Sequence, residues 1–105
     1  MKAKKLKLPK SADVTVIGRR WFDRVYGNTY HSAEVYVNGE LINRAPFCYG
    51  YDSAYEQTAM DILNDAYILP FNEEEKKYYN NIRRLREHGI KVIVSCTDVG
   101  RRKDL

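Results

Sequence analysis

Arginine and aromatic residues crowd one stretch of this chain. Arg19, Arg20, Trp21, Arg24, Tyr30, His31 and Arg44 fall between Gly18 and Tyr51, with Tyr26, Tyr49 and Tyr51 interleaved. Two kinds of contact use such a mixture. On single-stranded nucleic acid, guanidinium groups meet phosphate while rings stack on bases. At protein–protein contacts, Trp, Tyr and Arg carry most of the binding energy. A third reading is structural, with Trp21 and Phe22 in a core and the arginines as solvated guards of a sheet edge. Lys76, Lys77, Arg83 and Arg84 form a second basic group, expected to act as an auxiliary patch.

Residue types for covalent or acid–base chemistry are sparse. The chain has two histidines, His31 and His88. His31 precedes Ser32, but adjacent strand residues point to opposite faces, so the two are not a base and its nucleophile. His88 falls where a helix ends and is expected to complement the helix dipole. Glu73, Glu74 and Glu75 read as the acidic start of a helix. Thr97-Asp98 ends a strand, where a lone carboxylate is weak ground for a site. No phosphate loop, HExxH or GxSxG occurs. The expectation is a protein without catalytic residues, cofactor or metal.

The elements that position these residues follow from periodicity. Asp13–Phe22 alternates, with Val14 and Val16 on one side and Thr15 and Ile17 on the other, which predicts a strand that bends or bulges at Gly18. Asp23–Gly27 turns. Asn28–Val37 predicts a second strand, and Asn38-Gly39 a type I′ hairpin, because that turn needs positive φ at both central residues. The turn implies a register: Val37 against Glu40, Tyr36 against Leu41, Val35 against Ile42 and Ala33 against Arg44. One face then carries His31, Ala33, Val35, Val37, Ile42 and Arg44. The other is tyrosine-rich, with Tyr30, Tyr36, Leu41, Ala45 and Phe47.

Ser53 and Glu56 read as a capping box opening a helix whose stripe is Tyr55, Thr58, Ala59, Ile62, Leu63 and Ala66. Tyr67–Phe71 is an apolar connector. Asn72 and Glu75 read as a second capping box, opening a helix that runs to about His88 and stops at Gly89. Its stripe is Tyr78, Tyr79, Ile82 and Leu85. Ile90–Cys96 reads as a last strand, rich in Ile and Val as a central strand or one covered on both sides would be. The predicted fold is α+β, with a mainly antiparallel sheet of about four strands, in the order β-β-β-α-α-β, and two helices on one face.

The bulk numbers fit that plan. A length of 105 residues suits one domain. Hydrophobic content of 44% against 30% charged marks it as globular. The net charge of +4 gathers at the ends: Lys2, Lys4, Lys5, Lys7 and Lys10 in a basic arm over 1–12, and Arg101, Arg102 and Lys103 in a basic tail over 100–105. These flank a single domain over 13–99 and are either phosphate-touching arms or solubilising tails. Cys48 and Cys96 lack partners at metal-ligand spacing and read as free thiols of a reducing cytoplasm. The basic N-terminus has no apolar run behind it, and no segment has the length of a membrane span.

Two resemblances add context. GNTYHSAEVYVNGELI followed by QTAMDIL, within Gly27–Asn64, resembles the β-β-β-α half of a double-stranded-RNA-binding domain. That likeness implies that His31 reads a minor groove, although the helix start, Asp52-Ser53-Ala54-Tyr55-Glu56, is acidic where that family is lysine-rich. GRRWFDRVYGNTYHSAEVYVNGE, PFCYGYDSAYEQTA and the final RRKDL resemble a small family of uncharacterised proteins of tailed bacteriophages and prophages. The expected function is a phage-type binding protein, nucleic-acid associated through its arginine–aromatic surface. The alternative is an inhibitor that binds a host enzyme or defence complex. A homodimer through the tyrosine-rich sheet face is a further expectation.

Overall fold

The structure, a computed structural model, describes residues 5–105. It is an α+β fold built on a four-stranded sheet in which Glu40–Tyr49, Asn28–Val37, Asp13–Asp23 and Lys91–Val99 lie side by side in that order. β2 is Asp13–Asp23, β3 Asn28–Val37 and β4 Glu40–Tyr49, joined as an antiparallel meander. β6, Lys91–Val99, runs parallel to β2. Between β4 and β6 lie helix α1, Ala54–Ala66, and two short helices, α2 (Glu73–Tyr78) and α3 (Ile82–Glu87). A small parallel pair joins β1, Leu6–Lys7, to β5, Tyr67–Ile68.

The core lies between one sheet face and the helices. Val14, Val16, Val35, Val37 and Val92 meet Ala59, Met60, Leu63, Ile82 and Leu85 there. Alternation puts every second strand residue on this side, which is why the valines of β2 and β3 are buried and their neighbours are not. Leu8 and Ala12 complete the same core, and Leu8 N–H donates to the Ile68 carbonyl at 3.0 Å. From Lys5 onward the expected basic arm is therefore packed onto the domain. Lys2 and Lys4 lie outside the described residues.

The Asn38-Gly39 turn has the required geometry, with φ of 53° and 81°. Val37 pairs with Glu40 and Tyr36 with Leu41, as the turn dictates. Beyond that point the predicted register fails. A shift after Tyr36 sets Val35 opposite Asn43, Glu34 opposite Arg44 and Ala33 opposite Ala45, and a second shift sets His31 opposite Cys48. Each bulge adds a residue to β4. Arg44 thereby moves to the open face and Ala45 to the helix side, the reverse of the sequence expectation. Pro46 lies at the second irregularity, where an edge strand tolerates a missing N–H.

Four further expectations are corrected. β2 does not bulge at Gly18, because its pairing with β3 and β6 is continuous. The glycine is needed for close packing: a Cβ there would stand 2.5 Å from the Tyr55 ring. Ser53 makes no side-chain cap on α1. The helix expected over 72–88 is broken, since Asn81 caps a new helix by accepting from Arg84 N–H at 2.8 Å, a local bond that competes with continued helix. Tyr78 and Tyr79 consequently stay largely exposed while Ile82 and Leu85 are buried. Finally, β6 is neither central nor covered on both sides: it is an edge strand, with Ile93 54% exposed.

Candidate functional site

Sheet registers sort the open face into rows. Above the Asp13–Lys91 pair, the first full row is Ile93, Thr15, Tyr36 and Leu41, and the next is Ser95, Ile17, Glu34 and Arg44. Then come Thr97, Arg19 and Ser32, and at the top Val99, Trp21, Tyr30 and Tyr49. The face thus changes from apolar, through charged, to aromatic along the strands.

The top row is a packed stack. Tyr30 lies between Trp21, at 5.9 Å, and Phe47, at 4.6 Å, with Tyr49 edge-on at 5.7 Å. Such offset and edge contacts satisfy the ring quadrupoles. Arg102 covers Phe47, its guanidinium carbon 4.3 Å from the ring centre. The ring faces of Tyr30 are therefore occupied from within the protein. The charged row is likewise self-satisfied. Arg19 donates to Glu34, which also accepts the Tyr36 hydroxyl at 3.2 Å. The Arg19 hydrogen bond, helped by Tyr36, holds the Glu34 carboxyl below its ordinary range. Arg44 donates to the Leu105 main-chain oxygen at 2.6 Å. Residues 102–104 form a single 3-10 turn, so this segment lies folded against the open face instead of trailing as a tail.

The sequence-predicted site residues separate onto different surfaces. Arg19, Trp21, Tyr30 and Arg44 share the open face. Arg20 and His31 lie on the helix side, in the row Asp98–Arg20–His31–Cys48. Arg20 donates to Asp98 at 2.8 Å and to the Asp52 carbonyl at 3.1 Å. His31 is only 2% exposed, so the minor-groove contact implied by the RNA-binding resemblance has no accessible imidazole. Its Nδ1 meets the Gly50 carbonyl at 3.2 Å and its Nε2 meets Thr58 Oγ1 at 2.6 Å. A carbonyl only accepts, so Nδ1 carries the proton and, in the neutral ring, Nε2 accepts from the threonine. With both nitrogens taken, His31 forms no nucleophile–base pair with Cys48 beside it. Burial pushes the Cys96 thiol up in pKa, which keeps it neutral and poorly nucleophilic.

Arg24 belongs to the β2–β3 turn, where Asp23 Oδ1 accepts from Val25 N–H at 2.9 Å and leaves Val25 and Tyr26 exposed. The expected auxiliary patch lies on α2 and α3 and is mostly neutralised. Lys76 pairs with Glu73, Arg83 with Glu87, and Arg84 with both Glu75 and Glu87. Lys77 lies 5.3 Å from the Tyr78 ring centre. Among the described residues, no three His, Cys, Asp or Glu side chains gather as a metal-ligand set.

The residues that sequence reasoning undervalued are those of the turn Tyr49-Gly50-Tyr51-Asp52. Gly50 has φ of 148° and Asp52 of 57°, both positive. A Cβ on Gly50 would stand 2.6 Å from that of Ala54 and 3.2 Å from the His31 ring, so glycine is needed for space as well as conformation. His31 fastens the turn at the Gly50 carbonyl and Arg20 at the Asp52 carbonyl. Tyr49 and Tyr51 project from it, 68% and 71% exposed. Phe22 and Tyr26 are also exposed at this end of the sheet. The glycine between two tyrosines was the signal available in the sequence, and only folding sets it against His31.

The chain matches no protein-family model, no curated protein and no solved structure. No helix is long and apolar enough to cross a membrane.

Proposed function

We propose that this is a non-enzymatic binding module that docks another protein through the apical end of its sheet, with Tyr49, Tyr51, Phe22 and Tyr26 as contact residues and Trp21, Tyr30 and Phe47 as their support. The observation that carries this reading is the clamped turn that presents Tyr49 and Tyr51. Rigid aromatic side chains on a fixed backbone lose little entropy on binding, which is how hot-spot residues gain their effect. The resemblance to phage and prophage proteins carries the further expectation that the partner is a host enzyme or defence complex.

Nucleic-acid binding is the second reading, supported by the net charge of +4 and by Lys103, which lines the same hollow as Phe47. It is the weaker of the two, because phosphate needs free cations and bases need free ring faces. Here Arg19, Arg20 and Arg44 have internal partners, and Tyr30 is sandwiched.

The two readings separate in one experiment. Tagged wild type and the double variant Tyr49→Ala/Tyr51→Ala are used to capture proteins from the producing cell and are titrated with single- and double-stranded oligonucleotides over a salt series. Docking predicts a stoichiometric protein partner that wild type retains and the folded double variant loses. Oligonucleotide affinity that falls steeply with salt and depends on these tyrosines overturns the proposal in favour of nucleic acid.

A further inference from the structure

The sheet treats its two edges differently. β4 carries two register shifts and Pro46, devices that discourage a further strand. β6 carries neither. Its nine residues pair without interruption along β2, and among the described residues no strand occupies its other side. Among the described residues, a single carbonyl of this free edge is capped: that of Val92, which accepts from Arg86 Nε and Nη2 at 3.2 and 2.8 Å. From Ile93 to Val99 there is no proline, no lysine and no bulge. A long regular edge of this kind offers main-chain donors and acceptors that only another strand satisfies in full.

We propose that this edge is occupied by a second copy of the chain, pairing antiparallel about a two-fold axis at Ser95, so that the two sheets become one continuous sheet. The sequence of β6 is self-complementary about that residue. Centring on Ser95 overlaps the strand along its whole length. It sets Ile93 against Thr97 on the open face and Val94 against Cys96 on the helix side. It also sets Lys91 against Val99 and Val92 against Asp98, where the Val92 carbonyl stays with Arg86, so that the new ladder bonds join Val94 to Cys96. No like charges face each other, and every opposed pair except Ser95 with its own copy contains a β-branched residue suited to a pleated surface. Odd residues meet odd and even meet even, so the apolar side of each sheet continues into its partner. Asp98 is held by Arg20 of its own chain and brings no unpaired charge to the contact. Ile93, 54% exposed in the single chain, gains a neighbour across the axis.

Ser95 is exposed, so its replacement leaves the core untouched. Sedimentation of the full chain is expected to show a concentration-dependent dimer. Ser95→Lys, which brings two ammonium groups together on the axis, should yield a monomer with unchanged circular dichroism and Tm. Ser95→Cys should form a disulfide between the two copies of residue 95 under mild oxidation, located by peptide mass, faster than Thr97→Cys cross-links to itself. The double variant Tyr49→Ala/Tyr51→Ala should dimerise normally, which distinguishes this edge from the apical docking surface. A wild type that stays monomeric into the millimolar range overturns the proposal. A dimer that Ser95→Lys leaves intact also overturns it, and would point to another surface such as the tyrosine-rich face.

Discussion

Glu34 shows how much a single side chain can hold on an open face. It receives Arg19 and the Tyr36 hydroxyl, and its carboxyl is pulled below the ordinary value of 4.5, mainly by the Arg19 hydrogen bond. Glu75 is pulled the same way, first by the Asn72 backbone N–H and then by His88. A carboxyl whose folded pKa is depressed stabilises the fold above its unfolded pKa, and that contribution is lost as pH falls through the folded value. Stability should therefore decline as the pH drops below about 4.5, through the folded values of both groups. Glu34→Gln should flatten part of that decline while lowering stability near neutrality, as read from urea midpoints across a pH series. An acid limb unchanged in the variant would show that the pairing contributes nothing. The pairing of Asn72 with Glu75 was legible as a capping box, but that of Glu34 with Arg19 was not. Glu34 and Arg19 lie fifteen positions apart, and only the β2–β3 register sets them close.

At the scale of elements, two sequence motifs of the same type behave differently. Asn72 and Glu75 close a full capping box, with Asn72 Oδ1 accepting from Glu75 N–H at 2.8 Å and Glu75 Oε1 accepting from Asn72 N–H at 3.1 Å. Ser53 and Glu56 do not, because the clamped Tyr49–Asp52 turn fixes the direction of entry into α1 and leaves Ser53 with φ of −94° and ψ of 16°. Asn72→Ala should cost about 1 kcal/mol. Ser53→Ala should be close to neutral in the same denaturation experiment. Equal losses in the two variants would contradict this distinction. The break before Asn81 follows the same logic: one asparagine side chain supplies a cap in mid-segment, and the tyrosines before it turn out of the core.

At the scale of the whole molecule, the N-terminal segment is part of the folding unit. Leu8 is 4% exposed and lies in the core cluster with Leu69 and Phe71, and β1 pairs with β5 some sixty residues later. Leu8→Ala should cost about 2–5 kcal/mol, the usual range for truncating a buried leucine, measured by chemical denaturation. A loss below about 1 kcal/mol would mean that the segment is peripheral, as a solvated arm would be. What the sequence determined by itself is local. Alternation marked β2, Asn38-Gly39 fixed the hairpin turn between β3 and β4, and periodicity marked α1, since each depends on neighbours within a few residues. The tertiary structure decided what depends on distant segments. The β4 bulges moved Arg44 across the sheet, the parallel return of the chain made β6 an edge, and packing under α1 buried His31 while leaving Tyr49 and Tyr51 exposed. A residue type says what contacts a side chain can make, whereas register and packing decide whether the protein itself has already used them.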